Sequence, residues 1–209
     1  MPQIKVLPTK TNLIRLRREV GFAQEGYNLL EQKRQILVVE LMGLMDKTAE
    51  AQEKAEAVLA EAYKAYRNAV LAMGRKPVEE LASAVRVEAD IAIKARRVMG
   101  VSIPHVEVSL KDQPPYFSFG ETSFWANEAV DRFKAVLESL AKLAELRISL
   151  LRIAQEVRKT MKRVNALEKI VIPNYRVSIK YIESTLEENE RDTFATLKRL
   201  KAQLEANRS

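Results

Sequence analysis

The chain has 209 residues, no cysteine, one histidine and a formal net charge of +7. Disulfides, cysteine–zinc sites and thiol catalysis are therefore excluded, and one histidine cannot supply a histidine-based metal cluster. Alanine, glutamate, lysine, leucine and arginine fill 106 of the 209 positions, which is typical of long helices and coiled coils. No apolar run reaches the roughly 18 residues that cross a bilayer, so we expect a soluble, intracellular protein without direct membrane insertion.

The positive charge raises the question of nucleic-acid binding. Aromatic residues make up only 6% of the chain, and no cluster of them alternates with basic residues to stack on bases. The basic residues are spread among 28 acidic ones, a pattern typical of a solvated, salt-bridged helix surface. We therefore expect no nucleic acid among the partners, although a positive ring could surround an acidic protein.

The first long helix is predicted from a heptad pattern that starts at Leu13 and ends at Ala72. Before it, residues 1–9 contain two prolines, and Thr9 or Thr11 can cap the helix. Sixteen of eighteen successive seam positions are apolar, a strong coiled-coil signal. The core positions that we predict here are Leu30, Leu37 and Leu41. Arg34 lies in the same seam, where it either extends its charge to water or fixes the register.

The middle of the chain changes character twice. Gly74 and Pro77 are expected to end the first helix, and residues 78–99 keep a helical spacing that predicts a short helix closed by Gly100. Residues 101–120 are rich in β-branched and aromatic side chains, which predicts a β-hairpin with a proline-containing loop at 111–115. Two strands alone are marginal in water, so its apolar side chains must pack on the adjacent helices or meet another subunit. The simpler interpretation is packing at the end of the coiled coil, and our hypothesis is a hairpin with a regulatory role. The residues concerned are Val106, Val108, Tyr116 and Phe117.

The second long helix is predicted over residues 121–209. A second heptad seam runs from Leu143 to Val171, with eight of nine positions apolar. Its predicted core positions are Leu150, Ile153, Val157, Val164 and Leu167. The seam shifts phase near Pro173 and then resumes, so we expect this proline to bend the helix without ending it.

Two long helices joined by a compact middle must bury their seams against each other or against another chain. We therefore predict an all-α fold: a long antiparallel two-helix coiled coil with a short helix and a small β-hairpin in the middle. The predicted division is a first long helix over 1–74, a middle segment over 75–120 and a second long helix over 121–209. This arrangement brings both termini to one end.

No arrangement of residues predicts catalysis. Gly74-Arg75-Lys76 lacks the spacing of a phosphate-binding loop. A catalytic role for His105 would need a nucleophile and an orienting carboxylate held in a pocket, and the sequence gives no evidence of a pocket, so we interpret it as structural or solvated. Glu187, Glu188 and Glu190 point in different directions on a helix, which favours a solvated face over a metal site. We expect no catalytic residue, no cofactor and no metal ion.

Basic residues gather at the end where the termini meet, and a positive surface suits sliding contact with acidic groups of a surrounding partner. Solvation alone explains these charges equally well. The candidate contact residues are Lys10, Arg15, Arg17, Arg18, Lys198, Arg199 and Lys201.

Two stretches of the chain resemble the signatures of a known family. The residues that carry the resemblance are Pro8-Thr9-Lys10, Leu13, Leu16-Arg17, Gly26, Leu29-Leu30, Lys33-Arg34, Arg163-Val164-Asn165-Ala166-Leu167-Glu168, Ile172-Pro173, Ile179-Lys180-Tyr181-Ile182-Glu183 and Glu190-Arg191. They are similar to the N- and C-terminal signatures of the D subunits of V-type (vacuolar/archaeal-type) ATPases and ATP synthases. The second stretch is the more specific, because a generic coiled coil has no reason to contain RVNALE followed by IP.

The resemblance implies a non-catalytic rotor component of the central stalk, peripheral on the cytoplasmic face of the membrane. In that family the terminal helices enter a hexamer of A and B subunits, which holds the nucleotide sites. The small F subunit binds alongside, and a funnel-shaped C (or d) subunit connects the stalk to the membrane ring. The complex couples ATP synthesis or hydrolysis to hydrogen-ion or other ion transport; the ion and the direction depend on other subunits.

An alternative from another functional class is a cytoplasmic coiled-coil scaffold, with nucleic acid among its candidate ligands. Gel filtration with A and B subunits separates the two hypotheses, because a scaffold would not enter their hexamer. Salt-sensitive binding to DNA would favour the scaffold.

Overall fold

The computed structural model describes residues 6–85, 87–111 and 123–206. Its elements in chain order are α1 (Lys10–Met73), α2 (Arg75–Ala84), β1 (Glu88–Val98), β2 (Val101–Lys111), α3 (Phe124–Ala166), a π-helical turn (Leu167–Val171) and α4 (Ile172–Ala206). Of the described residues, 83% are helical. The predicted fold class is thus confirmed: long N- and C-terminal helices with a two-stranded antiparallel hairpin between them.

The chain divides into two compact units. We call residues 1–35 with 158–209 the terminal unit, and residues 36–157 the central unit. The predicted division by chain segment, into 1–74, 75–120 and 121–209, stays a prediction.

In the terminal unit, α1 and α4 lie antiparallel. Lys10 Nζ is 2.7 Å from a Glu190 carboxylate oxygen, and Arg17 Nη2 is 2.6 Å from one of Glu183. A step of seven residues forward on α1 therefore matches a step of seven backward on α4. Between the helices the side chains of Leu16 and Ile182 are each 1% exposed, as expected for opposed seam positions.

In the central unit, α1 and α3 are also antiparallel. Arg132 binds Glu61 at 2.6 Å and Arg147 donates to Gln52 at 3.0 Å, so rising numbers on α3 match falling numbers on α1. Beyond Thr48 the buried residues of α1 are small: Ala55, Ala62, Ala65 and Ala69. Small side chains let the partner helix approach closely.

Local sequence sets both ends of α1. The Thr9 hydroxyl accepts a hydrogen bond from the Asn12 N–H at 3.3 Å, so Thr9 is the N-cap. At the other end Gly74 has a φ of 87° and its N–H donates to the Val70 carbonyl at 2.9 Å. Glycine adopts such a positive φ without a steric penalty, and the predicted end of the first helix is confirmed.

The prediction of a helix over 78–99 was wrong beyond Ala84. Residues 88–98 form strand β1, which pairs with β2. Ala92 and Ala95 fitted the helical spacing, but alanine is small enough to fit either element. Ile91 and Ile93 pair with Val108 and Val106 across the sheet, and such β-branched pairs stabilise a hairpin. Tertiary pairing therefore outweighs the helical pattern.

Gly100 turns the hairpin and does not end a helix, contrary to the prediction. Met99 and Gly100 both have positive φ, 49° and 81°, as a two-residue type I′ turn requires. Residues 101–110 are extended as predicted, but their partner strand precedes them in sequence. Tyr116 and Phe117, assigned to the second strand of the predicted hairpin, lie outside the described residues.

The helix continues past Pro173, as predicted. Just before it, the Ile172 N–H bonds to the Leu167 carbonyl five residues back, which defines the π-helical turn. The seam steps from 167 to 171 to 175, one residue more than the heptad rhythm allows. A π turn adds one residue to a helix, so it absorbs this phase shift. Proline also lacks the N–H that a regular turn would need at position 173.

Candidate partner-binding surfaces

The basic residues predicted to contact a partner fall into two groups, and only some of them are free. Lys10 and Arg17 bind Glu190 and Glu183 on α4, and Arg15 Nε lies 3.6 Å from Glu19 on its own helix. The hydrogen bond from Lys10 lowers the pKa of Glu190, and the same bond raises the pKa of Lys10. The pairs of Lys10 and Arg17 therefore join α1 to α4, whereas the pair of Arg15 lies within α1.

The other candidate cations differ in their local partners. Arg18, Lys198 and Arg199 make no hydrogen bond or ion pair with any described residue. Lys201, also exposed, does interact within the chain. The three unpaired cations are the ones best able to bind acidic groups of another protein.

Charge is unevenly divided between the two units. The terminal unit contains 19 basic and 10 acidic residues, and the central unit contains 16 basic and 18 acidic residues. The net positive charge of the chain therefore comes from the unit that holds both termini, because the central unit is slightly negative. The sequence prediction placed basic residues there but did not identify the slight negative charge of the rest.

The end of α4 carries an apolar surface that we call the apolar tip. Its side chains recur at intervals that place them on one face of the helix. They are Phe194, Leu197, Leu200 and Leu204, which are 50–74% exposed. Because α1 begins at Lys10, opposite Glu190, its described residues do not reach the apolar tip. The seam predicted to continue here is open to a partner.

The hairpin is held against α3 by polar contacts on β2. The Glu145 carboxylate accepts a hydrogen bond from the Val106 N–H at 3.0 Å, and His105 Nδ1 lies 3.1 Å from its other oxygen. Arg152 Nη1 donates to the Ser102 carbonyl at 2.7 Å. Sequence reasoning missed Glu145 and Arg152, because nothing in a helix pattern shows which exposed charges meet a distant strand.

Apolar packing completes this attachment. Val101 joins Leu37, Ile153 and Val157 in a buried cluster, with Ile103 packed against it. Val106 and Val108 are half-buried on β2. The hairpin is therefore fixed to the helices along β2, whereas β1 is exposed from Glu88 to Arg97. The exposed strand was also missed, although the alternation of Ile91 and Ile93 was a period-two signal.

The predicted coiled-coil core positions are unequally covered. Leu37 and Ile153 are fully buried, and Val157 and Val164 are 7% and 4% exposed. The half-buried positions are Leu30, Leu41, Leu150 and Leu167. Arg34, in the first seam, binds Glu31 on its own helix through two hydrogen bonds.

An apolar cavity of about 410 Å³ lies where α1 ends and α3 begins. Val78 and Leu81 of α2, Tyr66 of α1 and Phe133 of α3 contribute to its wall, with Lys134 at its edge. The Tyr63 and Phe133 rings make an edge-to-face contact with centroids 5.8 Å apart. The cavity brings together no set of groups suited to acid–base or nucleophilic chemistry.

The described residues offer neither a metal site nor a membrane span. Within 6–85, 87–111 and 123–206, no three His, Cys, Asp or Glu side chains are placed to hold a metal ion. None of the helices in these ranges is long and apolar enough to span a membrane.

Comparison with known proteins identifies the family. The family model for the D subunit of ATP synthase matches residues 12–202. The D subunit of the A-type ATP synthase of Pyrococcus furiosus is 39% identical over 213 residues, which cover 100% of both chains. The D subunit of the V-type ATP synthase of Thermotoga neapolitana is 37% identical over 198 residues, covering 95% of this chain and 98% of its own. This chain therefore belongs to the family of ATP synthase D subunits.

Proposed function

We propose that this chain is the central rotor shaft of a V-type ATPase or ATP synthase. It would transmit torque between a catalytic hexamer of A and B subunits and a membrane rotor ring, and so couple ATP hydrolysis or synthesis to ion translocation. It would act without catalytic residues or a cofactor of its own, on the cytoplasmic face of the membrane.

The observation that carries this proposal is the character of the terminal unit. It holds both chain ends, an excess of nine basic over acidic residues and an apolar tip that its described residues leave uncovered. A positive surface suits contacts that must break and re-form, because Coulomb attraction varies slowly with distance. We propose that Arg18, Lys198 and Arg199 face acidic groups on the inner surface of the hexamer, together with the paired cations Lys10, Arg15, Arg17 and Lys201.

Transmission of torque also requires a shaft that resists twisting. The seams of both units are closed by buried side chains such as Leu16, Leu37 and Ile153. Close packing resists deformation, since interiors have low compressibility. The shaft would bind the F subunit along its side and the funnel-shaped C (or d) subunit at the membrane side.

We further propose that the hairpin modulates turnover. A connection between helices needs only a few residues, yet this one contains two strands of eleven residues each, fixed to α3. Replacing residues 88–111 by a short Gly/Ser bridge should leave a chain that still enters the A/B hexamer but changes the rate of ATP hydrolysis. An unchanged rate in the assembled complex would contradict the regulatory role.

A cross-link tests the shaft directly, because the chain has no native cysteine. We expect Lys198→Cys to form a disulfide with a cysteine placed on the inner surface of the A/B hexamer. Oxidation should stop ATP hydrolysis and reduction should restore it. Arg67→Cys, on the central unit, is the matched control and should not cross-link to that cysteine. Hydrolysis at the full rate in the cross-linked complex would contradict rotation of this chain.

A further inference from the structure

Over residues 102–106, the outer edge of β2 is closed by groups from its own chain. In an antiparallel pair, alternate residues direct their backbone groups away from the partner strand. The Val106 N–H and the Ser102 carbonyl point outward, since they bind Glu145 and Arg152 of α3. Pro104 lies between them, and its backbone also faces outward. Proline has no N–H, so no donor is left unpaired at this position.

The outer edge of β1 is open. Ser102, Pro104 and Val106 pair with Arg97, Ala95 and Ile93, so the odd-numbered residues of β1 also direct their backbone groups outward. These residues are Ala89, Ile91, Ile93, Ala95 and Arg97. In the described part of the chain the sheet has two strands only, and no residue pairs with this edge. The strand is eleven residues long without proline, and such an edge is a ready template for another strand.

The side chains of β1 indicate what kind of strand would fit. Ile91 and Ile93 are 60% and 70% exposed, and they share a face with Val108 and Val106 across the sheet. Arg96 and Arg97, next to the turn, make no ion pair with any described residue. Arg97 shares the face of Ile91 and Ile93, whereas Arg96 lies on the opposite face. The complementary strand would have apolar side chains at alternate positions on the first face and a carboxylate beside each arginine.

A second copy of this chain fits less well. In an antiparallel self-pair centred on Ile93, Arg96 of one copy would lie opposite Asp90 of the other. The Asp90 carboxylate is already bound to Lys111 at 2.6 Å. Arg96 would therefore lie opposite a carboxylate that is already paired, and Arg97 would lie opposite Ala89.

We propose that β1 binds an extended segment of another subunit of the assembled complex, which adds to the hairpin as a third strand. Backbone hydrogen bonds to the odd-numbered residues supply affinity. The apolar face with Arg97, and Arg96 on the opposite face, supply specificity. This proposal rests on the proposed function, because it requires that the chain is part of the complex. Its test measures hydrogen exchange and does not depend on rotation.

Backbone hydrogen exchange tests the proposal residue by residue. In the isolated full chain, the outward amides of Ile91, Ile93 and Ala95 should exchange rapidly. In the purified complex they should slow on the order of 100-fold, since they become hydrogen-bonded. The amides of Ala92 and Lys94 point toward β2, so they should be protected in both samples and serve as the internal control.

A pair of variants separates the two faces of the strand. In the complex, Ile93→Lys should remove the added protection of the odd-numbered amides, because it places a charge on the apolar face. Ala92→Lys adds the same charge one residue away on the opposite face, and it should keep that protection. Protected Lys94 amides in both variants would show that the hairpin itself is intact.

Three results would overturn the proposal. One is a complex that contains the chain but leaves the odd-numbered amides unprotected. Another is protection already present in the isolated monomer, which would mean that the chain covers its own edge. The third is protection that appears with dimer mass, which would assign the edge to a second copy. A wild-type chain that never enters the complex would contradict the proposed function as well.

Discussion

The terminal and central units contain the same kind of antiparallel helix pair. They differ in net charge and in how much of the helix surface is covered by other parts of the chain. The terminal unit has nine more basic than acidic residues, whereas the central unit has two more acidic than basic ones. In the central unit a hairpin covers Leu37 and Ile153, whereas in the terminal unit the end of α4 remains exposed. Heptad seams therefore explain how both units fold, whereas net charge and exposed apolar area distinguish their surfaces.

The largest expected effect concerns the covered core of the central unit. Ile153→Ala should lower the free energy of unfolding by about 2–5 kcal/mol, because it removes a fully buried side chain under the hairpin. Leu151→Ala, two residues away and 61% exposed, should cost well under about 1 kcal/mol. Chemical denaturation of both variants measures the difference. Equal costs would mean that the hairpin does not seal this core.

The second prediction concerns the charge of the terminal unit. The double variant Lys198→Glu/Arg199→Glu should weaken binding to the A/B hexamer by roughly 10- to 100-fold at low salt, and the loss should shrink as salt is raised. Lys64→Glu/Arg67→Glu makes the same charge change on the central unit and should have little effect. A similar loss from both double variants would remove the distinction between the units.

The third prediction concerns the attachment of the hairpin. Glu145→Ala removes the acceptor of the Val106 N–H and the neighbour of His105. It should cost about 1–3 kcal/mol and increase hydrogen exchange at the Val106 amide. Glu138→Ala, one heptad earlier on α3 and exposed, is the control. Slow exchange at Val106 in the Glu145 variant would show that apolar packing alone holds β2.

The smallest effect is the pH dependence of an exposed ion pair in the terminal unit. Lys10 lowers the pKa of Glu190, so the folded state favours the ionised carboxylate. The resulting stability is present above the carboxyl pKa of the unfolded chain and is lost as pH falls through the lowered pKa. Wild type should therefore exceed Lys10→Met in stability at neutral pH, and the difference should vanish in acid. A difference that grew in acid would contradict this pairing.

The central unit has a matching pair with the same sign. Lys94 lowers the pKa of Glu107 across the hairpin, so Lys94→Met should behave like Lys10→Met. Both pairs are exposed, and exposed ion pairs contribute little. A much larger stability difference in either unit would contradict this expectation, because it would require the ion pair to be shielded from solvent.

Sequence reasoning predicted what depends on long periodic patterns. The two seams located α1, α3 and α4, and Gly74 marked the end of α1. The phase shift near Pro173 coincides with the π turn. A π turn inserts one residue into the helix, which moves the seam by one position. These features are local in the chain, so the periodic signal of each segment is enough to reveal them.

The parts that were missed depend on contacts between distant segments. Ala92 and Ala95 fit a helix or a strand equally well, and only the pairing of Ile91 and Ile93 with β2 decides between them. Glu145 and Arg152 look like ordinary exposed helix residues until β2 lies beside them. The sequence pattern of one segment carries no information about which other segment packs against it.

The most direct test of the central claim is a single-molecule rotation measurement. A bead can be attached through Ser83→Cys on the exposed surface of α2, because the chain has no other cysteine, with the A/B hexamer fixed to a surface. We predict that the bead turns in one direction while ATP is hydrolysed. A complex that hydrolyses ATP while a firmly attached bead stays still would contradict the assignment of this chain as the rotor shaft.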